Sequence, residues 1–324
     1  MKALVLIGGF GTRLRPVTYT VPKQLIPLAG KPMLYHVLDL LPPDVEEVVL
    51  ATGYKSELID AFVRAHPVRW PVRTVAEAEP LLTGGGMKNA ADGMSDPFYL
   101  LNSDVIARAD LGAVADLYRR HGGVGVMTLA EVDDTRPYGV AALGPDDRIV
   151  RFVEKPAPAD APSHWINAGV GVWARSVLDR IPPGRPVSFE TEIVPDLLES
   201  GIYAFKLTGY WDDAGSPDRI LRSQRLLFDD HRAERPGLPP GALGSGPVAA
   251  GEGVEARGAS FGPYVTLGAG VTVGPGAHVE NSIVMDGARI EEGAAVGASL
   301  LGPRSVVRSG HRVAGQVLGE GGEA

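Results

Sequence analysis

The C-terminal quarter of the chain repeats with a period of six residues. From Phe261 it reads FGPYVT, LGAGVT, VGPGAH, VENSIV and MDGARI, and each hexad opens with an aliphatic or aromatic residue. After Met285 we expect the period to slip by one residue, to Ile290 and then Val296. Such hexads predict a parallel β-helix, in which six residues form one side of a triangular coil. The aliphatic period argues against the alternative, a glycine-rich disordered tail.

Strand-like and helix-like segments alternate upstream of the hexads. The predicted strands are 45–51, 97–102, 124–129 and 149–153, and the predicted helices are 56–65 and 111–121. This alternation predicts an α/β domain with a Rossmann-like, mainly parallel sheet and helices on both faces. Ligands of such sheets bind at the carboxyl ends of the strands.

A change of composition separates these two patterns. The 324 residues exceed the usual size of one domain, and residues 229–247 are rich in Arg, Pro and Gly without a period. We therefore predict an N-terminal α/β domain at 1–230, a linker at 231–246, a β-helix at 247–318 and a tail at 319–324.

The composition excludes several classes of function. The chain has no cysteine, which excludes disulfides, thiolate catalysis and cysteine-ligated metals. Its formal charge of −8 argues against nucleic acid or an anionic membrane as a partner. No apolar run approaches the ~20 residues of a membrane span, and we expect a cytoplasmic protein.

A glycine-rich loop follows the first predicted strand. The apolar residues 3–7 precede the string Gly-Gly-Phe-Gly at 8–11, and Arg13 and Lys23 follow it. Bare backbone N–H groups and two cations predict a phosphate site. The spacing excludes a Walker A loop, and Leu14 stands where a dinucleotide fingerprint needs its third glycine.

The whole string resembles the signature of the sugar-1-phosphate nucleotidylyltransferases. It reads GGFGTRLRP at 8–16, then Pro-Lys at 22–23 and Lys-Pro-Met at 31–33. The resemblance implies that a sugar-1-phosphate attacks the α-phosphorus of a nucleoside triphosphate and releases pyrophosphate. It assigns Arg13 and Lys23 to the triphosphate. The attacking phosphate is already ionised near neutral pH, so no general base is needed.

Two further strings resemble the metal-binding aspartates of this family. Asn-Ser-Asp-Val at 102–105 has the form found among the mannose-1-phosphate guanylyltransferases, and Trp-Asp-Asp-Ala-Gly at 211–215 matches Trp-x-Asp-x-Gly. The resemblance thus implies Mg²⁺ held by Asp104 and Asp213, which with Arg13 and Lys23 are the predicted catalytic residues. Two alternatives stay open: Asp104 caps the following helix, or the second ligand is the neighbouring Asp212.

The resemblance also implies which residues contact each substrate. The implied nucleotide-binding residues are Leu6, Gly8, Gly9, Gly11, Thr12, Arg13, Glu79, Gly84 and Gly85. The implied sugar-phosphate-binding residues are Gly139, Glu154, Lys155, Asn167 and Glu190. In the string Glu-Lys-Pro at 154–156, the lysine is expected to contact the phosphate and the glutamate the sugar.

The base is the least constrained part of the substrate. Glu79 favours guanine, because a carboxylate accepts hydrogen bonds from two adjacent donors together. Two residues depart from the guanylyl pattern: Leu82 replaces a glycine, and Gln24 is commoner among thymidylyltransferases. We therefore expect GTP and mannose-1-phosphate, with a glucose-1-phosphate thymidylyl- or uridylyltransferase and a catalytically silent regulatory subunit as alternatives. In this family the β-helix is left-handed and mediates oligomer contacts, which implies a homo-oligomer.

Overall fold

The computed structural model describes all 324 residues, which form two compact units. Unit 1 contains residues 1–9 and 37–211, and unit 2 contains residues 10–36 and 212–324. These units cut across the division predicted at residue 230, because residues 10–36, the signature segment, belong to unit 2. Each unit is described separately below.

Thirteen strands and seven helices precede the β-helix. The strands are β1 (Lys2–Ile7), β2 (Pro27–Leu28), β3 (Lys31–Pro32), β4 (Val48–Thr52), β5 (Val72–Ala76), β6 (Phe98–Asn102), β7 (Val105–Ala107), β8 (Gly125–Glu131), β9 (Gly139–Leu143), β10 (Ile149–Glu154), β11 (Trp165–Trp173), β12 (Ile202–Lys206) and β13 (Trp211–Asp213). The helices are α1 (Met33–Leu38), α2 (Ser56–Ala65), α3 (Leu82–Asn89), α4 (Leu111–His121), α5 (Ser176–Asp179), α6 (Val194–Leu197) and α7 (Pro217–Asp229). None of the helices is both long and apolar enough to cross a membrane.

The sheet of unit 1 has a parallel half and a mixed half. Strands β6, β1, β4 and β5 are neighbours and all parallel, as the alternating pattern predicts. Strand β11 is antiparallel to β6 and to β8, and β9 pairs antiparallel with β10. The connection from β9 to β10 is only residues 144–148, too short for the helical crossover that parallel strands need.

Helices α2 and α4 have the bounds that the sequence predicts. Helix α4 begins at an N-cap, where the Asp110 carboxylate accepts a hydrogen bond from the Ala113 N–H at 3.0 Å. It ends at Gly122, whose φ of 66° favours glycine. The sheet and helices of unit 1 enclose one large apolar core, in which Leu4, Met87 and Phe98 are fully buried.

The C-terminal part of unit 2 is a parallel β-helix, as the hexads predict. Its strands are β14 (Leu243–Gly244), β15 (Val248–Ala250), β16 (Ser260–Phe261), β17 (Val265–Leu267), β18 (Thr272–Val273), β19 (His278–Glu280), β20 (Ile283–Val284), β21 (Arg289–Ile290), β22 (Ala295–Gly297), β23 (Leu300–Leu301), β24 (Val306–Val307), β25 (Arg312–Ala314) and β26 (Val317–Leu318). They form three parallel sheets, one for each side of the coil.

The position of the slip in the hexads differs from the prediction. Val279 pairs with Phe261, which keeps the predicted phase, whereas Val284 pairs with Leu267 and is buried in the core of the β-helix. The one-residue deletion therefore lies before Val284 and not after Met285. It falls at a corner of the coil, where Asn281 has a φ of 42° and turns the chain in fewer residues.

Candidate active site

The first glycines of the signature leave the sheet beside Asp104. Strands β1 and β6 are parallel, with Leu6 opposite Asn102, and the Ser103 N–H donates to the Leu6 carbonyl at 3.2 Å. The segments that follow β1 and β6 therefore both lie at the carboxyl edge of the sheet, where ligands of such folds bind. No atom lies within 4 Å of the place that a side chain would take at Gly8 or Gly9, so both backbones are open.

Asp104 does not cap a helix. It is half-buried and is followed by strand β7, and helix α4 has Asp110 at its N-cap instead. The alternative that Asp104 is a cap is therefore wrong. Its carboxylate lies at the carboxyl edge of the parallel sheet, where bound molecules of such folds lie.

The rest of the signature is built from short turns in unit 2. Gly11 has a φ of 59°, and its carbonyl accepts hydrogen bonds from the Thr18 hydroxyl at 2.8 Å and from the Leu14 N–H at 2.9 Å. Thr12 opens the first 3₁₀ turn and Lys23 opens a later one. The Lys23 Cβ lies 3.5 Å from the place of a side chain at Gly11, so the predicted Gly11, Thr12 and Lys23 lie close together.

Arg13 lies against the backbone of Gly215 within unit 2. A side chain at Gly215 would overlap the Arg13 guanidinium, and it would also lie 3.4 Å from Oδ2 of Asp213. The Gly215 N–H donates to the Asp213 carbonyl at 2.7 Å. The glycine of the Trp-x-Asp-x-Gly string thus leaves the space in which Arg13 approaches Asp213.

The two aspartates of strand β13 have different environments. Asp212 is fully buried and contacts Arg219 at 3.0 Å, the Ser223 hydroxyl at 3.3 Å and Arg222 at 3.7 Å. Its burial raises the pKa of its carboxyl, and the two arginines partly oppose that shift. Asp213 is 21 % exposed and also pairs with Arg219. Successive residues of a strand point to opposite faces. The Asp212 side chain is therefore enclosed among its polar partners, whereas Asp213 lies on the more open face.

Gly139, Glu154 and Lys155 form a group on strands β9 and β10. Gly139 lies opposite Glu154 in the antiparallel pair, and a side chain at 139 would be 2.7 Å from the Glu154 carboxylate. Lys155 has a φ of 48°, and its Nζ lies 3.1 Å from Oε1 of Glu154. Burial raises the pKa of Glu154; the Lys155 ammonium opposes this shift and the charge of Glu190 adds to it. Glu190 therefore belongs to the same electrostatic neighbourhood.

Glu190 and Asn167 are held by hydrogen bonds of their own. The Thr83 hydroxyl donates to Oε2 of Glu190 at 2.6 Å, and the Gly169 N–H donates to Oδ1 of Asn167 at 3.0 Å. Both side chains line a small cavity of about 20 Å³ that Leu6 also lines. This volume suffices for one water molecule. The structure thus brings the predicted Leu6, Asn167 and Glu190 together.

Gly84 and Gly85 pack against residues 185–189. A side chain at Gly84 would lie 3.1 Å from the Val187 carbonyl, and one at Gly85 would lie 3.0 Å from the Arg185 carbonyl. The Gly85 N–H already donates to Val187 at 3.1 Å. Both glycines thus allow helix α3 to approach this segment closely, a role that the sequence did not suggest.

Glu77 is a residue that the sequence reasoning missed. Its Oε2 accepts a hydrogen bond from the Leu81 N–H at 3.0 Å, and burial raises the pKa of its carboxyl. It thus stabilises the loop between Glu77 and Leu81. This loop carries Glu79, whose side chain is exposed. The sequence did not indicate a role for Glu77, because the resemblance to the family motif begins at Glu79.

Asp104 and Asp213 carry carboxylate oxygens, the kind of ligand that Mg²⁺ prefers. No group of three or more His, Asp or Glu side chains in the chain could hold a metal ion. Mg²⁺ typically takes one or two carboxylates and completes its coordination with water and substrate phosphates.

A glycine loop after the first strand of an α/β sheet, at the edge that also carries Asp104, is typical of nucleotide-binding enzymes. Residues 2–229 match the nucleotidyl transferase family, and residues 246–323 match the family described as the GMPPB C-terminal domain. The chain belongs to the nucleotidyl transferase family.

Curated relatives cover almost the whole chain. A probable mannose-1-phosphate guanylyltransferase 1 of Oryza sativa subsp. japonica is 38 % identical, over 99 % of this chain and 91 % of that protein. The mannose-1-phosphate guanylyltransferase of Mycobacterium tuberculosis is 36 % identical, over 91 % of this chain and 83 % of that protein.

Solved structures resemble part of the chain. HddC from Yersinia pseudotuberculosis, which was also solved in complex with GMP-PN, is 28 % identical with a TM-score of 0.59 and covers 69 % of this chain and 98 % of its own. A protein of Bacillus anthracis described as a putative glucose-1-phosphate thymidylyltransferase is 22 % identical with a TM-score of 0.64, over 71 % of this chain and 96 % of its own. The second likeness shows the fold alone.

Proposed function

We propose that this chain transfers a guanylyl group from GTP to mannose-1-phosphate, giving GDP-mannose and pyrophosphate. The observation that carries the proposal is the identity of 38 % with a probable mannose-1-phosphate guanylyltransferase across 99 % of the chain. The organised group of Gly139, Glu154, Lys155 and Glu190 supports a second, sugar-phosphate substrate.

In the proposed reaction a phosphate oxygen of mannose-1-phosphate attacks the α-phosphorus of GTP. The bond from that phosphorus to the bridging oxygen breaks, and pyrophosphate leaves. Two anions must meet, so charge neutralisation and alignment account for most of the catalysis. Arg13 and Lys23 would neutralise the triphosphate, and Lys155 the sugar phosphate. Glu154 and Glu190 would accept hydrogen bonds from sugar hydroxyls.

Asp104 and Asp213 are our candidates for Mg²⁺ ligands. When bound, Mg²⁺ would withdraw charge from the phosphate oxygens. The exposure of Asp213 and the burial of Asp212 support the choice between these neighbours. Arg219 pairs with Asp212 and Asp213 and would hold the Asp213 carboxylate in a fixed orientation.

Pyrophosphate release, measured with Mg²⁺ over four nucleoside triphosphates and several sugar-1-phosphates, tests the proposal. We expect the highest kcat/KM with GTP and mannose-1-phosphate. A preference for dTTP or UTP with glucose-1-phosphate would favour the thymidylyl or uridylyl alternative. No turnover anywhere in the grid would exclude both and leave the silent regulatory subunit.

The choice of base is proposed to depend on Glu79. Guanine offers two adjacent donors to a carboxylate, whereas thymine and uracil offer one N–H between two carbonyls. Glu79→Gln should therefore lower kcat/KM for GTP by about 10- to 100-fold, the loss of a good charged hydrogen bond, and narrow the gap to dTTP. Equal losses for all nucleotides would assign Glu79 a structural role. Gln24 is 97 % buried, so it offers little surface for choosing a base.

We also propose a homo-oligomer formed through the β-helix. Its support is the β-helix itself, since the faces of such a fold present regular, flat surfaces to a second copy. Light scattering of the full chain gives the subunit count, and a monomer at micromolar concentration would refute the proposal.

A further inference from the structure

The signature segment is attached to the rest of unit 2 by the turn of its hairpin. Strands β2 and β3 meet at Ala29 and Gly30, and the Glu234 N–H donates to the Ala29 carbonyl at 2.8 Å. Gly30 has a φ of 86°, and a side chain there would lie 2.6 Å from the Glu234 carbonyl and 3.0 Å from the Cβ of Ala249. Since Ala249 belongs to strand β15, the turn rests directly on the β-helix.

Gln224 of helix α7 links this turn to two coils of the β-helix. Its Oε1 accepts hydrogen bonds from the Thr266 hydroxyl at 2.6 Å and from the Ala29 N–H at 3.4 Å. Its Nε2 donates to the carbonyls of Tyr264 at 2.8 Å and Ser282 at 3.4 Å. An amide offers two donors and two acceptor positions, so all of its capacity is used. Gln224 is fully buried, where a polar group is costly unless it is bonded in this way.

A second attachment lies near the other end of the segment. Gly319, directly after strand β26, lies against Pro16: a side chain at 319 would be 3.1 Å from the Pro16 Cβ and 3.4 Å from its carbonyl oxygen. Pro16 is three residues after Arg13, and Ala29 is six residues after Lys23. Lys23 therefore lies between two points at which the segment rests on the β-helix or on Gln224, and Arg13 lies three residues before the first of these points.

We propose that Gln224 is a positioning residue for the nucleoside triphosphate. It ties the segment that carries Lys23 and Arg13 to the β-helix, which thereby contributes to nucleotide binding without supplying a ligand. The inference rests on the proposed function for what the two cations bind. A displacement of about 1 Å in such groups can change a rate by two orders of magnitude, so their anchoring matters for function.

The test uses the full-length chain with Gln224→Met, which keeps the length of the side chain and removes its hydrogen bonds. The matched control is Ser305→Ala. Ser305 is 99 % buried in the β-helix, and its hydroxyl bonds only the Gly302 carbonyl, at 2.8 Å. Both variants lose buried hydrogen bonds, but only the first loses a link to the signature segment. If Gln224→Met does not fold, Thr266→Val replaces it, because it removes one bond of the same network.

Two readouts separate positioning from simple stability. We expect Gln224→Met to raise the KM for the nucleoside triphosphate about tenfold, with the KM for the sugar phosphate unchanged. We also expect faster amide hydrogen exchange across residues 10–36, at N–H groups such as those of Leu14, Leu25 and Met33, which bond within the segment. Ser305→Ala should change neither quantity, whatever it does to Tm.

The inference is overturned if Gln224→Met lowers Tm while both the exchange of residues 10–36 and the KM for nucleotide stay at wild-type values. An equal rise in both KM values would overturn it as well. The exchange measurement needs no turnover. If the wild-type chain proves inactive with every substrate pair, the proposed function fails, and the exchange result still decides whether Gln224 holds the segment.

Discussion

Replacing Gly215 by alanine should separate activity from stability. No positive φ restricts residue 215, so the backbone accepts alanine without strain. The added methyl group would overlap the Arg13 guanidinium, the mobile end of a long side chain. We therefore expect Arg13 to move and the fold to stay intact.

The size of the effect follows from the distances. The Cζ of Arg13 lies 3.3 Å from the new carbon and one guanidinium nitrogen lies closer still. Ordinary van der Waals separations are about 3.5–4.0 Å, so the nitrogen has to retreat by about 1 Å or more. A misplacement of that size costs about 10²-fold in rate, or about 2.7 kcal/mol of transition-state stabilisation. The free energy of unfolding should instead rise by about 0.4–1 kcal/mol, because alanine restricts the unfolded chain.

Pyrophosphate release and urea unfolding measure the two quantities. Gly297→Ala is the matched control, since the nearest atom to a new side chain there is the Glu280 carboxylate at an ordinary 3.6 Å. It should gain similar stability without losing activity. If Gly215 acts through Arg13, the double variant with Arg13→Ala should be no worse than Arg13→Ala alone. Additive losses, or normal activity of Gly215→Ala, would refute the reasoning.

Three further changes test other parts of the site. Asp213→Asn should cost several kcal/mol of transition-state stabilisation at saturating Mg²⁺, whereas the exposed Asp218→Asn should keep nearly normal turnover in the same assay. The raised pKa of Glu154 means that its carboxylate takes up a proton at a higher pH than an ordinary glutamate. The KM for the sugar phosphate should therefore rise as the pH falls through that raised pKa, and Glu154→Gln should abolish this dependence; an unchanged pH profile in the variant would assign the titration elsewhere. Leu82→Gly should be about 1 kcal/mol more stable than Leu82→Ala in urea unfolding, because Leu82 has a φ of 60°, where glycine avoids the steric cost that alanine has. The reverse order would show that this backbone is not strained.

The sequence indicated candidate site residues, but it did not indicate the close contacts that explain some of their neighbours. The strings containing Gly11, Asp104 and Asp213 were recognisable from their resemblance to a family signature, which left Asp212 open as an alternative to Asp213. The structure adds that Asp212 is fully buried and that Asp213 is 21 % exposed. The partner of Gly215 was not predictable, because Arg13 lies some two hundred residues earlier and only the fold brings the two together. Close backbone approaches of this kind leave no local signal besides the glycine itself.

The fold was predictable where the local pattern determines the pairing. Helices α2 and α4 have the predicted bounds because each combines an apolar stripe with polar ends. The antiparallel half of the sheet was not foreseen, since a strand carries no mark of its direction and only the short 144–148 connection implies it. The sequence placed the shift of the hexads after Met285, whereas it lies before Val284. Ile283 and Val284 are both apolar and fully buried, so the residue types alone do not show which of the residues around 283–285 opens the hexad.

Leu82 illustrates why a departure from a family pattern need not indicate lost function. Its φ of 60° lies in the region that favours glycine, so the first residue of helix α3 has a glycine-like backbone although it is a leucine. The side chain is 59 % exposed and therefore contributes little packing that would compensate for the strain. The neighbouring residues maintain the conformation: the Glu77 carboxylate accepts from the Leu81 N–H, and the Thr83 hydroxyl bonds Glu190. The positive φ at residue 82 thus preserves the backbone shape that the family's glycine would give, so the leucine is no argument for the silent regulatory subunit.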